Sequence, residues 1–287
     1  MKATAVSMKV CALASSLFMV SALSLAACGG KAGDVVATSA SYMAAEDMAT
    51  VDTPIWVALH EDIRFEPKEN VENPVPASIT KVNYDYDECG DVLKKTVEGE
   101  GYEDITSYSY DKYGWETGFT LVLESGNSTD YTVKNTLDDA NRLVSTTNYE
   151  GTTEYSYDAN GNVACYTLKN GDDKDDVSSQ VVVIFNEDGT PQSVKSGTEA
   201  IQEFSYEYDE QGRASKSICT QYMLDGSGNK LDAGATAITI NYVYDENGNV
   251  SRKEVETDYG TVVYEYEYMR VDRPSLGASI RNHMKLD

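Results

Sequence analysis

A repeated nine-residue motif constrains the fold of this chain more than any other feature of its sequence. Residues 242–250 read YVYDENGNV, and residues 155–163 read YSYDANGNV. Five looser copies keep an Asp or Asn that is followed three positions later by Gly or Asn. The first of these two residues is Asp87, Asp111, Asp138, Asp158, Asn186, Asp209 or Asp245, at a mean spacing of about 26 residues. Spacing of roughly 20–50 residues is typical of a repeat architecture.

Each copy of the motif predicts a strand that runs into a tight turn. Tyr-x-Tyr places two aromatic rings on one face of a strand, because side chains alternate between faces. The Asp side chain then accepts a hydrogen bond from the backbone two residues on, and Gly adopts the left-handed conformation that closes the turn. The closing residues are Gly90, Gly114, Asn141, Gly161, Gly189, Gly212 and Gly248.

Two substitutions within the motif favour a structural role over a catalytic one. Asn141 replaces Gly in the third copy, and Asn is among the few other residues that tolerate a left-handed backbone. Asn186 replaces Asp in the fifth copy and keeps a side-chain oxygen that can cap the turn. A turn tolerates both changes, whereas a catalytic carboxylate does not. All seven turns are therefore predicted to be structural.

These hairpins predict an all-β fold built as an antiparallel meander of about 14–18 strands, two for each repeat plus flanking strands. A flat sheet of that width curls or splits because strands twist. We expect a strongly curved sheet, a half-barrel or an open barrel, with tyrosines on the concave side, over residues 55–270. Ser, Glu, Asp and Thr alternate with the tyrosines, which excludes a lipid-facing wall.

The Tyr-x-Tyr-Asp-x-x-Gly unit resembles the YD repeat of Rhs-type proteins over roughly residues 80–270. In large members of that family the repeats wind into a β-sheet shell around a C-terminal toxin domain. The resemblance implies the sheet here; no toxin domain is expected, because only 18 residues, 270–287, follow the last predicted strand. Small envelope lipoproteins with such repeats also resemble families that form open, porin-like sheets.

Residues 1–27 predict an export signal. Lys2 and Lys9 precede an apolar run that extends from Val10 to Leu25 and ends in small residues. This organisation is typical of a secretory signal peptide. The run of 16 residues is shorter than the ~20 residues that a membrane-spanning helix needs.

The sequence Leu-Ala-Ala-Cys at the end of this signal resembles the lipobox of bacterial lipoproteins. The resemblance implies cleavage between Ala27 and Cys28 and acylation of Cys28, with a fatty acid such as palmitate. Either Met1 or Met8 can start the chain, and an ordinary signal peptide with an unrelated cysteine is the alternative. We expect an exported lipoprotein anchored at the cell envelope or surface, with a flexible tether over residues 28–54 and a C-terminal tail over residues 271–287.

The charge of the chain excludes one class of partner. The formal net charge is −25, and removal of Lys2 and Lys9 with the signal makes it more negative. Such a surface repels nucleic acids and anionic headgroups. Contact with the membrane is therefore expected through the lipid alone, and nucleic-acid binding is not expected.

Cysteine and histidine content argues against several kinds of site. Cys89, Cys165 and Cys219 remain after the signal region, so at most one disulfide can form, and we expect buried or partly buried thiols. His60 and His283 lie at opposite ends of the sequence. Because the sequence also lacks the GxSxG, P-loop and HExxH motifs, we expect no enzyme and no cofactor.

Three functions remain open from the sequence. The first is a non-enzymatic module that binds an unknown protein or glycan, or serves as a scaffold. The second is a glycoside hydrolase that uses two carboxylates, and the third is a relict or accessory of an Rhs-type toxin system.

Tyrosine is the residue type that best indicates a ligand surface. The chain has 21 Tyr and five Phe, and Tyr suits a half-wet interface. Most of these rings are expected to stack across strands. The candidates for ligand contact are Tyr110, Trp115, Tyr157, Tyr208 and Tyr244, and a weak calcium site is a further candidate at Asp172, Asp173, Asp175 and Asp176.

Overall fold

The structure is a computed structural model that describes residues 47–69, 75–170, 180–225 and 229–285. Within these ranges it contains 17 strands and one helix. The elements are β1 (Ile55–Pro67), β2 (Ser78–Tyr86), β3 (Val92–Gly99), β4 (Tyr102–Tyr110), β5 (Glu116–Val122), β6 (Ser128–Thr132), β7 (Lys134–Leu137), β8 (Leu143–Thr147), β9 (Gly151–Tyr157), β10 (Val163–Asn170), β11 (Gln180–Phe185), β12 (Pro191–Ser196), β13 (Glu199–Tyr208), β14 (Ala214–Leu224), β15 (Lys230–Tyr244), β16 (Val250–Glu256), β17 (Gly260–Val271) and α1 (Leu276–His283).

All 17 strands belong to one antiparallel sheet that curls back on itself, which confirms the predicted fold class. Neighbours in sequence pair in space from β2 to β6 and from β7 to β17. The first strand closes the circle, because β1 pairs with β17 along one edge and with β2 along the other. The β1–β17 pairing extends from Ile55 opposite Val271 to Pro67 opposite Gly260.

One seam interrupts the closed sheet. Strand β6 pairs with β5 and strand β7 pairs with β8, and Val133 joins β6 to β7 along the chain. The Val133 N–H donates to the carbonyl of Thr117 (2.9 Å), which carries the β5 pairing past the end of β6. Aromatic contacts cover the seam: the ring centroids of Tyr131 lie 4.6 Å from Phe119 and 4.3 Å from Tyr149.

A bulge in every motif hairpin bends the sheet. In each of the seven, the strand pairing skips one residue of the returning strand just beyond the turn. A bulge of this kind kinks the strand and increases its right-handed twist, and repetition of the same bulge supplies the curvature that closure requires. The skipped residues are Leu93, Thr117, Val144, Ala164, Gln192, Ser215 and Ser251.

All seven motif turns lie at one end of the barrel, which we call the motif end. If β6 and β7 are counted as a single run, strand direction alternates all the way around the sheet. Every strand that leads into a motif therefore points the same way. Loops that join one repeat to the next, such as the Gly101 turn and the Thr257–Gly260 turn, lie at the opposite end.

The C-terminal segment packs against the motif end of the barrel. Helix α1 is N-capped by Ser275, whose Oγ accepts the Ala278 N–H at 2.9 Å. Ile280 of the helix and Met284 just beyond it pack on a buried cluster of Val163, Tyr166, Val183, Phe185 and Val194.

The residues just before β1 also form contacts with this C-terminal segment. The Val51 N–H donates to the Pro274 carbonyl at 2.9 Å, and the Leu276 N–H donates to the Ala49 carbonyl at 3.2 Å. The end of the expected tether thus pairs with the start of the expected tail.

The structure describes the three cysteines that follow the predicted signal and Cys28. Cys89 and Cys219 are buried and Cys165 is half-buried, all three as free thiols. The predicted signal and Cys28 lie outside the described residues. Within the described ranges, no helix is long and apolar enough to cross a membrane.

Replacement of Gly248 tests the left-handed turn. Its φ is +85°, and a Cβ added there would meet nothing within 4 Å, so a substitution isolates backbone strain from crowding. We expect Gly248→Val to lower the free energy of unfolding by about 1–3 kcal/mol, because a β-branched residue disfavours this conformation. Gly248→Asn should cost much less, since Asn141 already occupies this turn position with φ +61°. Equal losses for the two variants in urea denaturation would contradict the assignment.

Candidate functional site

The motif turns share one hydrogen-bonding geometry. In the seventh turn, Asp245 Oδ1 accepts the N–H groups of Asn247 (2.9 Å) and Asn249 (2.8 Å). The Gly248 N–H donates to the Asp245 carbonyl at 3.2 Å. Turns that begin at Asp87, Asp111, Asp138, Asp158 and Asp209 repeat this arrangement. The closing residue has a positive φ in all seven: Gly90, Gly114, Asn141, Gly161, Gly189, Gly212 and Gly248.

The fifth turn reaches a similar shape with different side chains. Asn186 Nδ2 donates to Thr190 Oγ1 at 3.0 Å. Asp188, two residues on, accepts both the Thr190 N–H (3.0 Å) and the Thr190 hydroxyl (2.6 Å). Gly189 closes this turn with φ +82°.

Tyrosine hydroxyl groups link neighbouring repeats. Tyr206 donates to the Pro191 carbonyl and Tyr244 to the Ala214 carbonyl, both at 2.7 Å, and Tyr268 donates to the Val250 carbonyl at 2.9 Å. Each of these carbonyls belongs to the first residue of the preceding returning strand. The hydroxyl of these tyrosines is therefore committed to the backbone, which explains their preference over Phe.

Arginines extend the link in two repeats. Arg213 bonds back to Asp209 (2.7 Å), and its guanidinium lies 4.3 Å from the ring centroid of Tyr244 in the next repeat. Arg142 makes the same two contacts with Asp138 and Tyr157.

The barrel encloses a cavity of about 740 Å³ next to the motif end. Eight tyrosines and both tryptophans of the sequence, Trp56 and Trp115, line it. Ile280, Arg281 and Asn282 of helix α1 form part of the same wall. We call this space the aromatic cavity.

The aromatic cavity reaches solvent between the sixth and seventh turns. Gly212 and Gly248 both line the cavity, and both are exposed. Asn282 is also exposed and borders the same space from the helix. Exposed residues thus border the cavity on this side.

The structure brings four of the five candidate ligand-contact residues into this wall. Tyr110, Trp115, Tyr157 and Tyr244 line the aromatic cavity, whereas Tyr208 is 49% exposed and does not belong to its lining. Trp115 is 2% exposed, and its Nε1–H donates to the Asn141 carbonyl at 2.8 Å. Trp115 thus contributes part of its ring to the cavity while its polar edge is bonded to the third turn.

The candidate calcium ligands Asp172, Asp173, Asp175 and Asp176 lie outside the described residues. Among the residues that are described, no group of three His, Cys, Asp or Glu side chains is arranged to hold a metal ion.

An ion pair attaches helix α1 to the first two repeats. Asp91 is fully buried and accepts bonds from the Arg281 guanidinium and from the Ser275 hydroxyl (3.0 Å). Arg281 also donates to the Gly114 carbonyl at 2.7 Å. Burial raises the pKa of Asp91 to about 6, although the Arg281 charge opposes this shift. The side chain of Arg281 is 38% accessible, and this surface borders the aromatic cavity.

Glu116 is an acidic residue of the cavity wall whose pKa is strongly raised. It is half-buried, and it lines the cavity directly after Trp115. Burial raises the pKa of its carboxyl to about 7, against an opposing effect of the Arg281 charge. A cavity carboxyl that changes charge near neutral pH can pair with a cation, donate a hydrogen bond or transfer a proton.

The sequence did not single out Glu116, Arg281 or the turn at Asp225. Asp225 Oδ1 accepts the Asn229 N–H at 2.9 Å, a hydrogen bond that the motif turns also contain, at the opposite end of the barrel. The position of Asp91 in the sequence could have indicated a buried ion pair, because it is a second acid directly after the turn residue Gly90 and an acid needs a partner when it is buried. Glu116 carried none, since Glu is common throughout the chain.

Comparison with known families gives one match. The model of the RHS repeat matches residues 138–172, which contain the third and fourth turns. This segment is similar to an RHS repeat. No curated protein matches the chain.

Several solved structures are similar to the chain at low identity. The crystal structure of TcdB2-TccC3-Cdc42 is 19% identical with a TM-score of 0.32, over 64% of this chain and 10% of that one. A porin-like protein from Bacteroides uniformis is 10% identical with a TM-score of 0.34, over 74% of this chain and 98% of that one. This chain therefore spans about a tenth of the TcdB2-TccC3 chain, and scores this low establish no shared function.

Proposed function

We propose that the protein is a non-enzymatic lipoprotein of the bacterial cell envelope whose RHS-repeat barrel binds a ligand in the aromatic cavity. The observation that carries the proposal is the cavity itself, about 740 Å³ in volume, lined by tyrosine and tryptophan and open at Gly212 and Gly248. Small-molecule sites are concave, largely apolar and roughly 300–1,000 Å³ in volume. The barrel matches that description without any rearrangement.

The size of the cavity limits which part of a ligand can enter. A folded protein domain is too large, whereas a small molecule, the end of a glycan chain or a single protruding side chain fits. An unknown glycan or protein partner would therefore present one terminal group to the cavity and contact the motif turns with the rest.

Membrane attachment in this proposal depends on the lipid at Cys28. The net charge of −25 provides no basic patch for anionic headgroups, so the acyl chains supply the affinity. The residues between Cys28 and the first described contacts near Ala49 would then separate the barrel from the membrane surface.

A glycoside hydrolase is the second candidate, because the cavity contains acids whose pKa values are shifted in opposite directions. Burial raises the pKa of Glu116 to about 7, whereas hydrogen bonds from Thr190 lower that of Asp188 although its burial opposes this. Glycosidases place two carboxyls about 5–10 Å apart. Glu116 begins β5 and Asp188 follows β11, so several strands of the wall lie between the two acids. A direct distance of about 5–10 Å between their carboxyl groups would favour hydrolysis, and a larger one would favour binding.

A relict or accessory of an Rhs-type toxin system is the third candidate. The RHS repeat at residues 138–172 favours it. A toxin or immunity gene next to this one in the genome would support it, and an unrelated neighbourhood would count against it.

Substitution of Asn282 tests ligand binding in the cavity. Asn282 is exposed on helix α1 and borders the opening, so Asn282→Phe should fill it while leaving the helix intact. We expect at least a tenfold loss of affinity for any ligand found by glycan array or pull-down. The purified protein should begin at Gly29, because Ala49 and Val51 pair with the C-terminal segment.

Glu210→Phe is the matched control, since Glu210 is an exposed residue of the sixth turn that does not line the cavity. If both variants bind normally, the ligand site lies elsewhere and the proposal is wrong.

Replacement of Cys28 tests the anchor. Cys28→Ala should move the protein from the membrane to the soluble fraction, because it removes the acylated residue. Cys11→Ala, within the predicted signal, should leave the protein at the membrane. Cell fractionation with metabolic labelling by palmitate measures both. Retention and labelling of the Cys28→Ala variant would refute lipid anchoring.

A further inference from the structure

We propose that the aromatic cavity takes an organic cation, whose ammonium group pairs with the Glu116 carboxylate while its carbon skeleton lies against the surrounding rings. This inference rests on the proposed function, since it names the chemical class of the ligand for the same cavity. Four observations carry it. The Glu116 carboxylate has no hydrogen-bond or ion-pair partner among the described residues, and the charges around it do not neutralise it. Tyrosine rings in this barrel contact cations, and the net charge of the chain is negative.

The carboxylate of Glu116 has no hydrogen bond or salt bridge to any residue within the described part of the chain. Its backbone is held firmly, because it pairs with Tyr110 across the hairpin and its carbonyl accepts the Asn135 side-chain amide at 2.7 Å. A half-buried carboxylate on a rigid strand is costly to leave without a partner. A ligand group that carries positive charge supplies that partner.

The charged groups near Glu116 neutralise one another and do not neutralise Glu116. Arg281 approaches Glu116 from helix α1, Tyr110 from the paired strand β4 and Tyr155 from β9, and Asp91 lies next to Arg281 and Tyr110. Arg281 already bonds to Asp91, so this pair is close to neutral. Ionised Glu116 is thus the uncompensated charge of the cluster.

Tyrosine faces in this barrel already hold cations. Within the described residues, seven Lys or Arg head groups make eight contacts with Tyr rings, at 3.5–5.8 Å from the ring centroid. Proteins in general have about one significant contact of this kind per 70–80 residues, which predicts roughly three here. The same wall chemistry is therefore suited to the ammonium group of a ligand.

The remaining cations of the cavity wall do not favour an anionic ligand instead. Arg213 is bonded to Asp209, and Arg281 to Asp91. Lys253 is buried with its ammonium group 4.3 Å from the ring centroid of Tyr264. Lys285, an exposed residue of the wall, interacts electrostatically with Asp188. The net charge of −25 also repels anions on approach and attracts cations.

The two tryptophans make the test direct. Trp56 and Trp115 are the only tryptophans of the sequence, and both line the cavity, so tryptophan fluorescence, excited selectively over that of the tyrosines, reports on this site. The probes are two pairs that differ by an ammonium group: pentylammonium against 1-pentanol, and glucosamine against glucose. The first pair represents free amines and the second represents the amino sugars of glycans.

We expect at least one ammonium probe to bind ten times or more tightly than its neutral counterpart, with pentylammonium tested at pH 8 and glucosamine, a weaker base, at pH 7. Glu116→Gln should abolish this preference, and Glu116→Asp should retain part of it. Glu246→Gln, an exposed glutamate in the seventh turn, is the matched control and should change nothing. Because burial raises the pKa of Glu116 to about 7, pentylammonium should bind more weakly as pH falls from 8 to 5.5.

Three results would overturn the inference: equal binding of the neutral and ammonium probes, an unchanged preference in Glu116→Gln, or no binding of either ammonium probe at tens of millimolar. Binding of glucose or pentanol that Asn282→Phe still weakens would leave the proposed function standing with a neutral ligand. No fluorescence response to any probe, together with normal ligand capture by Asn282→Phe, would contradict both.

Discussion

Strand β1 forms hydrogen bonds along both of its edges, and this double pairing joins the two ends of the repeat region and turns the sheet into a barrel with an interior. Its partners β17 and β2 lie at opposite ends of the repeat region, so closure joins residues about 200 positions apart in sequence. Without β1 the repeats would still form a curved meander with two open edges. With it, the tyrosine face becomes the wall of an enclosed space, and the cavity and its opening follow.

The motif prepares the sheet for that closure. The Asp or Asn side chain and the left-handed Gly or Asn together shape each turn, and the bulge that follows adds the same bend seven times. Tyrosine hydroxyls such as that of Tyr244 then bond the carbonyl of the preceding repeat. Each repeat therefore carries its own turn, its own curvature and, in several cases, its own link to the previous repeat. Repetition at a fixed spacing converts these local preferences into a barrel.

Local features of the sequence were sufficient to predict the hairpins, the strand number and the strong curvature. Asp245 and Gly248 act within five residues of one another, so their effect can be derived from the motif alone. The prediction that tyrosine marks a half-wet surface had only part of the reason, because hydroxyls such as that of Tyr206 bond the backbone of the preceding strand.

Features that depend on distant contacts could not be predicted. Helix α1 has only eight residues, too few to be stable alone. It exists because Arg281 and Ser275 meet the buried Asp91, which precedes them by more than 180 positions. The role of Glu116 likewise depends on which residues closure places around it.

Hydrogen–deuterium exchange of the backbone amides tests closure through β1 most directly. Strand β6 (Ser128–Thr132) pairs with β5 on one edge and borders the seam on the other, so it provides a one-sided reference in the same molecule. If β1 closes the barrel, its amides between His60 and Phe65 should all exchange slowly, because both edges are bonded there. Alternate amides of β6 should exchange fast. If every second amide of β1 exchanged as fast as the unpaired amides of β6, one edge of β1 would be open, and this result would contradict the enclosed cavity.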